Sequence, residues 1–263
     1  MGKTICVTNQ KGGVGKTTTV INLGCSLAAA QKKTLIIDLD PQANATSGVG
    51  IDKNESETTV YDVLLGRSDI RNSIKKVHQS VLNDYLFLCP SNAELTGAEI
   101  ELIGVENREW KLKEAISKIV LDFDYILIDC PPSLNLLTIN SLAAADSVLI
   151  PVQCEYYALE GLSQLNRTIN LIKERLNSDI QVEGYLLTLF DSRNRLSSVI
   201  VNEVRTYFKD KVFDTIVPRN VRLAECPSHG LPILLYDATS KGAQSYISLA
   251  REIIENNNGG YRS

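Results

Sequence analysis

At 263 residues, of which 44% are hydrophobic and 22% charged, the chain can bury a substantial core and sits near the upper end of single-domain size. Its apolar runs fall short of the roughly 18–20 residues a membrane helix needs, its six cysteines contain no C-x-x-C pair, and it starts with strand-like ICVTN rather than a leader; these features argue against membrane spans, a zinc site, a disulfide framework and export. A net charge of −4 excludes a uniformly basic nucleic-acid coat, and the expectation is a soluble cytosolic protein with one domain over 1–256 and a flexible tail at 257–263.

In chain order, β-rich apolar runs at 4–9, 34–38, 85–89, 124–129, 146–152, 182–190 and 212–217 predict strands. Amphipathic helical stretches lie between nearly all of them, and a last helix is predicted over 240–255. Leu35-Ile36-Ile37 and Tyr125-Ile126-Leu127-Ile128 are continuously apolar, as strands are when helices cover both faces of a parallel sheet. The pattern predicts a doubly wound α/β fold, a mostly parallel sheet flanked by helices. Ligands in such a sheet bind beyond the carboxyl ends of the strands, so the loops starting at Asn9, Asp38 and Asp129 should converge on one site. The cysteines read as small buried hydrophobes.

The first strand runs into Gln10-Lys11-Gly12-Gly13-Val14-Gly15-Lys16-Thr17-Thr18, and a helix follows over 18–30. Glycines let successive N–H groups turn toward phosphate oxygens, and the helix N-terminus adds partial positive charge. Strand, glycine loop, Lys-Thr and helix together read as a Walker A loop for ATP, with Gly12, Gly13, Val14, Gly15 and Thr18 around the phosphates, Lys16 on the β- and γ-phosphates and Thr17 on Mg²⁺. The loop departs from the usual pattern, because Gln10 stands at the first glycine position and a second lysine, Lys11, precedes the glycine pair. Lys11 either lies in solvent or reaches phosphate elsewhere, including the nucleotide of a facing subunit, in the manner of an arginine finger.

Asp38 ends the second strand, and Asp40 follows on the same side of the alternating chain. Asp38 is placed to hold a Mg²⁺-bound water, and Asp40 either orients the attacking water or caps the turn at Pro41. Asp129 closes another strand ahead of Cys130-Pro131-Pro132-Ser133 and reads as a Walker B carboxylate that binds Mg²⁺ through water. No Glu or His beside these motifs is an obvious strong base, His78 and His229 lying elsewhere. Hydrolysis served by Lys11, Lys16 and Asp40 is therefore expected to be slow, which suits a switch.

Between 191 and 222 seven basic residues face four acidic ones, a net of +3 that leaves −7 on the remainder. Such a concentration fits either nonspecific contact with phosphate backbones or a solvated charged face.

The segments KGGVGKTTT (11–19), DLDPQANATSGVG (38–50), GAEIEL (97–102), DCPPSLNLLTINSL (129–142), PVQCEYYALEGLSQL (151–165), VPRNVRLAECPSHG (217–230) and KGAQSYISLAREI (241–253) resemble the ParA/Soj chromosome and plasmid partition ATPases of the deviant Walker A group. The resemblance covers nearly the whole chain. It implies an ATP-bound sandwich homodimer in which Lys11 crosses to the partner's phosphates, Gly12 stays small, Asp40 supports hydrolysis, and Pro218 and Asn220 line the adenine pocket. It also implies nonspecific double-stranded DNA binding on the nucleoid through Arg193 and Arg222, with Arg195 and Arg219 in the same basic segment. A ParB-type partner would then stimulate hydrolysis and release the dimer. Two rival readings lack their marks: a MinD-like membrane regulator needs an amphipathic basic C-terminal helix, which 255–263 does not supply, and a reductase needs interface cysteines paired for a cluster.

Overall fold

The computed structural model describes residues 2–77, 82, 84–155 and 158–259; His78 and the end of the expected tail, Gly260 to Ser263, lie outside the described residues. Apolar strands and amphipathic helices alternate as β1 (Lys3–Val7), α1 (Lys16–Ala29), β2 (Thr34–Asp38), α2 (Asn44–Gly48), α3 (Val60–Leu64), α4 (Ile70–Ser73), β3 (Lys75–Lys76), β4 (Leu86–Cys89), α5 (Leu95–Glu101), α6 (Lys111–Ser117), β5 (Tyr125–Asp129) and α7 (Leu136–Ala144). The second half continues with β6 (Ser147–Gln153), α8 (Ala158–Arg175), β7 (Gln181–Phe190), α9 (Arg195–Phe208), β8 (Val212–Pro218), α10 (Val221–Glu225), α11 (Ile233–Tyr236) and α12 (Lys241–Asn257).

The strands form one sheet in the order β3-β4-β2-β5-β1-β6-β7-β8, parallel except for the β3–β4 pair. Each predicted strand is present. β3 went unpredicted because two lysines at a sheet edge carry no apolar periodicity. The continuous apolar runs follow from burial on both faces: Leu35, Ile37, Ile126 and Ile128 pack with α3, α6 and α7, while Ile36, Leu127, Ile5 and Val7 pack with α1 and α12. The strand order reverses at β1, which sits between β5 and β6, so the loop after Val7 opens at the switch point where α/β sheets bind ligands.

α12 runs two residues further than predicted. Asn256 and Asn257 belong to the helix, and the Asn257 side chain is engaged by the Lys3 ammonium and bonds the Tyr125 hydroxyl. Three consecutive asparagines read as a frayed end in sequence, whereas a partner more than 120 residues away extends the helix here.

Candidate functional site

The loop between β1 and α1 is held from outside as well as by its glycines. Asn9 donates from Nδ2 to the Pro151 carbonyl (2.7 Å) and accepts the Lys11 N–H on Oδ1 (3.0 Å), and the Thr188 hydroxyl donates to the Val14 carbonyl (2.9 Å). Gly13 (φ 73°) and Gly15 (φ 90°) occupy the left-handed region that only glycine enters without strain. Gly12 has an ordinary backbone, and a methyl group built on it would meet nothing within 4 Å. Its smallness answers no need of the single chain. The buried Lys16 ammonium donates to the Lys11 carbonyl (3.2 Å). Burial lowers the Lys16 pKa, and the Asp129 carboxylate opposes that shift.

Asp38 and Asp129 are register partners at the ends of adjacent parallel strands, and both are fully buried. Asp38 is committed to protein donors: Oδ2 accepts both the N–H and the hydroxyl of Thr46 at 2.7 Å, and Oδ1 accepts the Asp40 N–H (3.2 Å). Burial still pushes it up to about 6. Asp129 differs, since neither of its oxygens has a hydrogen-bond partner among the described residues. Burial and the charge of Asp38 hold its pKa well above the usual carboxylate range, and the nearby Thr17 hydroxyl pulls the other way. Two buried carboxylates beside one lysine leave negative charge that a divalent cation would neutralise. No three His, Cys, Asp or Glu side chains converge as a ligand cage among the described residues. That fits Mg²⁺, which takes one or two protein ligands and completes its shell with water and substrate phosphates.

Asp40 is nearly buried, with Oδ1 accepting the Gln42 N–H (2.9 Å) and its carbonyl accepting the Ser91 hydroxyl (2.8 Å). The capping of this turn and a position facing the loop are therefore both realised. Asp40 lines a cavity of about 360 Å³ together with Gly12, Lys16, Thr17 and Pro132. A second cavity of about 200 Å³, lined by Val217, Pro218, Asn220, Leu223 and Tyr246, shares Gly13, Gly15 and Thr18 with the first. One trough thus runs from Asp40 and Lys16 to an apolar slot. A larger hollow of about 610 Å³ beside Lys3 and Asp146 shares no residue with the loop. Leu189, at the slot's edge, takes φ 52° where the β7–β8 register shifts between Leu187 and Phe190. A bulky residue in that region stores on the order of 1–3 kcal/mol of strain.

Comparison with known proteins places this trough in a family. The AAA domain family matches residues 2–182. The chain is 56% identical to the chromosome partitioning protein ParA of Myxococcus xanthus (strain DK1622), over 97% of this chain and 89% of that one. It is 54% identical to the sporulation initiation inhibitor protein Soj of Bacillus subtilis (strain 168), over 97% and 100% respectively. The chain belongs to the ParA/Soj family of partitioning ATPases. Among solved structures, cobyrinic acid a,c-diamide synthase from Mycobacterium smegmatis, with bound ATP analog and magnesium, superposes on this ParA/Soj chain with a TM-score of 0.85 at 34% identity, covering 99% of this chain and 98% of that one. Among the described residues no helix is long and apolar enough to cross a membrane.

The arginines of this ParA/Soj chain are less free than their sequence suggests. Arg193, with an 85% exposed side chain, forms a two-pronged pair with Asp191 at 2.9 and 2.8 Å. That pairing holds the Asp191 pKa down at about 2, with a smaller contribution from Arg219. Arg222 pairs with Glu225 (3.1 Å) and Asp237 (3.7 Å). Both carboxylates lie outside the 191–222 window, so the +3 counted there overstates the charge offered to solvent. Arg195 opens α9, and Arg219 borders the apolar slot with its N–H on the Phe190 carbonyl (2.9 Å). Sequence reasoning missed Asn9, Thr46, Ser91, Thr188, Glu155 and Leu189. Glu155 and Thr46 lie inside family-like segments and Asn9 opens one of the converging loops, but no local spacing pointed to the role of any of the six, because the partners that give the polar ones their roles become neighbours only once the sheet is assembled.

Proposed function

We propose that the chain binds ATP and Mg²⁺ in this trough, closes into an ATP-loaded sandwich homodimer that holds double-stranded DNA without regard to sequence, and is released when a ParB-type partner accelerates a slow hydrolysis. The observation that carries the reading is the single trough, with a polar, lysine-bearing end suited to a triphosphate and an apolar end, bounded by Pro218 and Asn220, suited to a purine. Lys16 neutralises phosphate charge, Gly12, Gly13, Val14, Gly15 and Thr18 surround it, and Asp40 orients the attacking water. Thr17 and Asp129 hold the metal, and Asp38 anchors the Thr46 segment behind them. Magnesium, when bound, supplies charge neutralisation across the transferring phosphate. Lys11 of one subunit completes the phosphate site of the other. With no strong base at hand, turnover is slow enough to time attachment to the nucleoid.

On the DNA side the four arginines Arg193, Arg195, Arg219 and Arg222 supply phosphate contacts, each presented twice by a dimer. Removing one phosphate contact lowers the slope of log affinity against log salt by about 0.9, so Arg193→Ala or Arg222→Ala should lower it by about 1.8. ATP binding should be untouched. Filter retention of DNA across a salt series tests this, and an unchanged slope in both variants would reject the assignment.

A further inference from the structure

Both ammonium groups of the phosphate loop are held inside the chain. Lys16 Nζ donates to the Lys11 carbonyl (3.2 Å), and Lys11 Nζ lies 2.9 Å from Glu155 Oε2. The other oxygen of Glu155 accepts from the side-chain amide of Gln153, the last residue of β6, so the carboxylate is fixed from the strand end. The backbone of Lys11 is tied to the same strand through Asn9, which bridges the Lys11 N–H and the Pro151 carbonyl.

We propose that Glu155 is the resting counter-ion of Lys11, a positioning residue that keeps this ammonium within its own subunit and must release it before it can reach phosphate in a second copy of the chain. The inference rests on the sandwich-dimer reading. The two side chains are 44% and 49% exposed, which makes the pair weak enough for a polyphosphate to displace. The acceptor of Lys16 is the carbonyl of Lys11 itself, so a phosphate that draws Lys16 away also loosens the backbone of residue 11. Occupancy of one subunit's loop is in this way conveyed to the lysine that serves the other subunit. Phosphate across the interface then competes with one carboxylate for one ammonium.

Glu155→Gln removes the charge and keeps the size and an acceptor for Gln153. Two exposed pairs are broken per dimer, so its dissociation constant with a slowly hydrolysed ATP analogue and Mg²⁺ should fall on the order of 2- to 30-fold, by sedimentation equilibrium. Glu155→Asp, which keeps the charge, should return toward the wild-type value. The effect should vanish in a Lys11→Ala background, and ATP affinity and melting temperature should not move, since a merely structural role would shift them. A Glu155→Gln dimer no tighter than wild type, or a gain that persists without Lys11, overturns the proposal while leaving the dimer reading intact. A wild-type protein that stays monomeric at every concentration with the analogue overturns both.

Discussion

Asp129→Asn should melt at a higher temperature than the wild type at pH 7.5 in metal-free buffer, and should hydrolyse ATP with Mg²⁺ on the order of 100-fold more slowly. The wild-type carboxyl is fully buried beside Asp38 with neither oxygen hydrogen-bonded among the described residues, and its pKa stands well above the unfolded value. A carboxyl raised in this way contributes its full stability below the unfolded pKa of about 4 and loses it as the pH climbs toward the folded value. The advantage of the asparagine should therefore be largest near neutrality and close toward pH 4. Each kcal/mol of relief corresponds to about 2–4 °C in a chain of this size. Adding Mg²⁺ to the nucleotide should raise the melting temperature of the wild type more than that of the variant. Scanning calorimetry over pH 4–8 with paired phosphate-release assays measures both sides. An Asp129→Asn protein that melts lower at pH 7.5 would show the carboxylate to be structural.

Gly12→Val carries the second large effect. A Cβ at Gly12 meets nothing within 4 Å, and its backbone is not in the left-handed region, so the variant should fold, melt close to wild type and bind ATP. What it should lose is ATP-dependent dimerisation, weakened on the order of 100-fold by crowding at the facing surface, and DNA retention with it. Gly13 and Gly15 make the contrast, because any side chain there strains the loop itself. Substituting either should cost nucleotide affinity in the monomer. Light scattering with the slowly hydrolysed analogue separates the cases. Wild-type dimerisation by Gly12→Val would remove the main physical reason for a close approach at this loop.

These two residues also show what was legible in the sequence. The phosphate loop, Asp38, Asp40 and Asp129 could be read because their meaning lies in local spacing, a strand end followed by a glycine turn or a carboxylate, and the sheet needed only apolar runs of the right length. Different roles for Asp38 and Asp129 could not be assigned from spacing. Both end a strand with an aspartate, but Thr46 occupies one and nothing described bonds the other, and that difference depends on how the segment after β2 folds back. The pairing of Arg222 with Glu225 and Asp237 was hidden for a related reason: a charge count over a window stops where the window stops. Leu189 could not be foreseen at all, since a left-handed leucine is set by the register shift between β7 and β8 and leaves no compositional mark. Pro218 and Asn220 came from family resemblance rather than chemistry, and the fold brings them to the loop through Gly13, Gly15 and Thr18.

The central claim is that the nucleotide in this loop decides attachment to DNA, and retention on DNA with ADP, ATP or the slowly hydrolysed analogue, for wild type and Asp40→Ala, tests it most directly. The account predicts retention with ATP and the analogue, none with ADP, and an Asp40→Ala protein that stays on DNA with ATP on the order of tenfold longer than wild type, as loss of a water-orienting carboxylate requires. Equal retention in all three nucleotide states would contradict it.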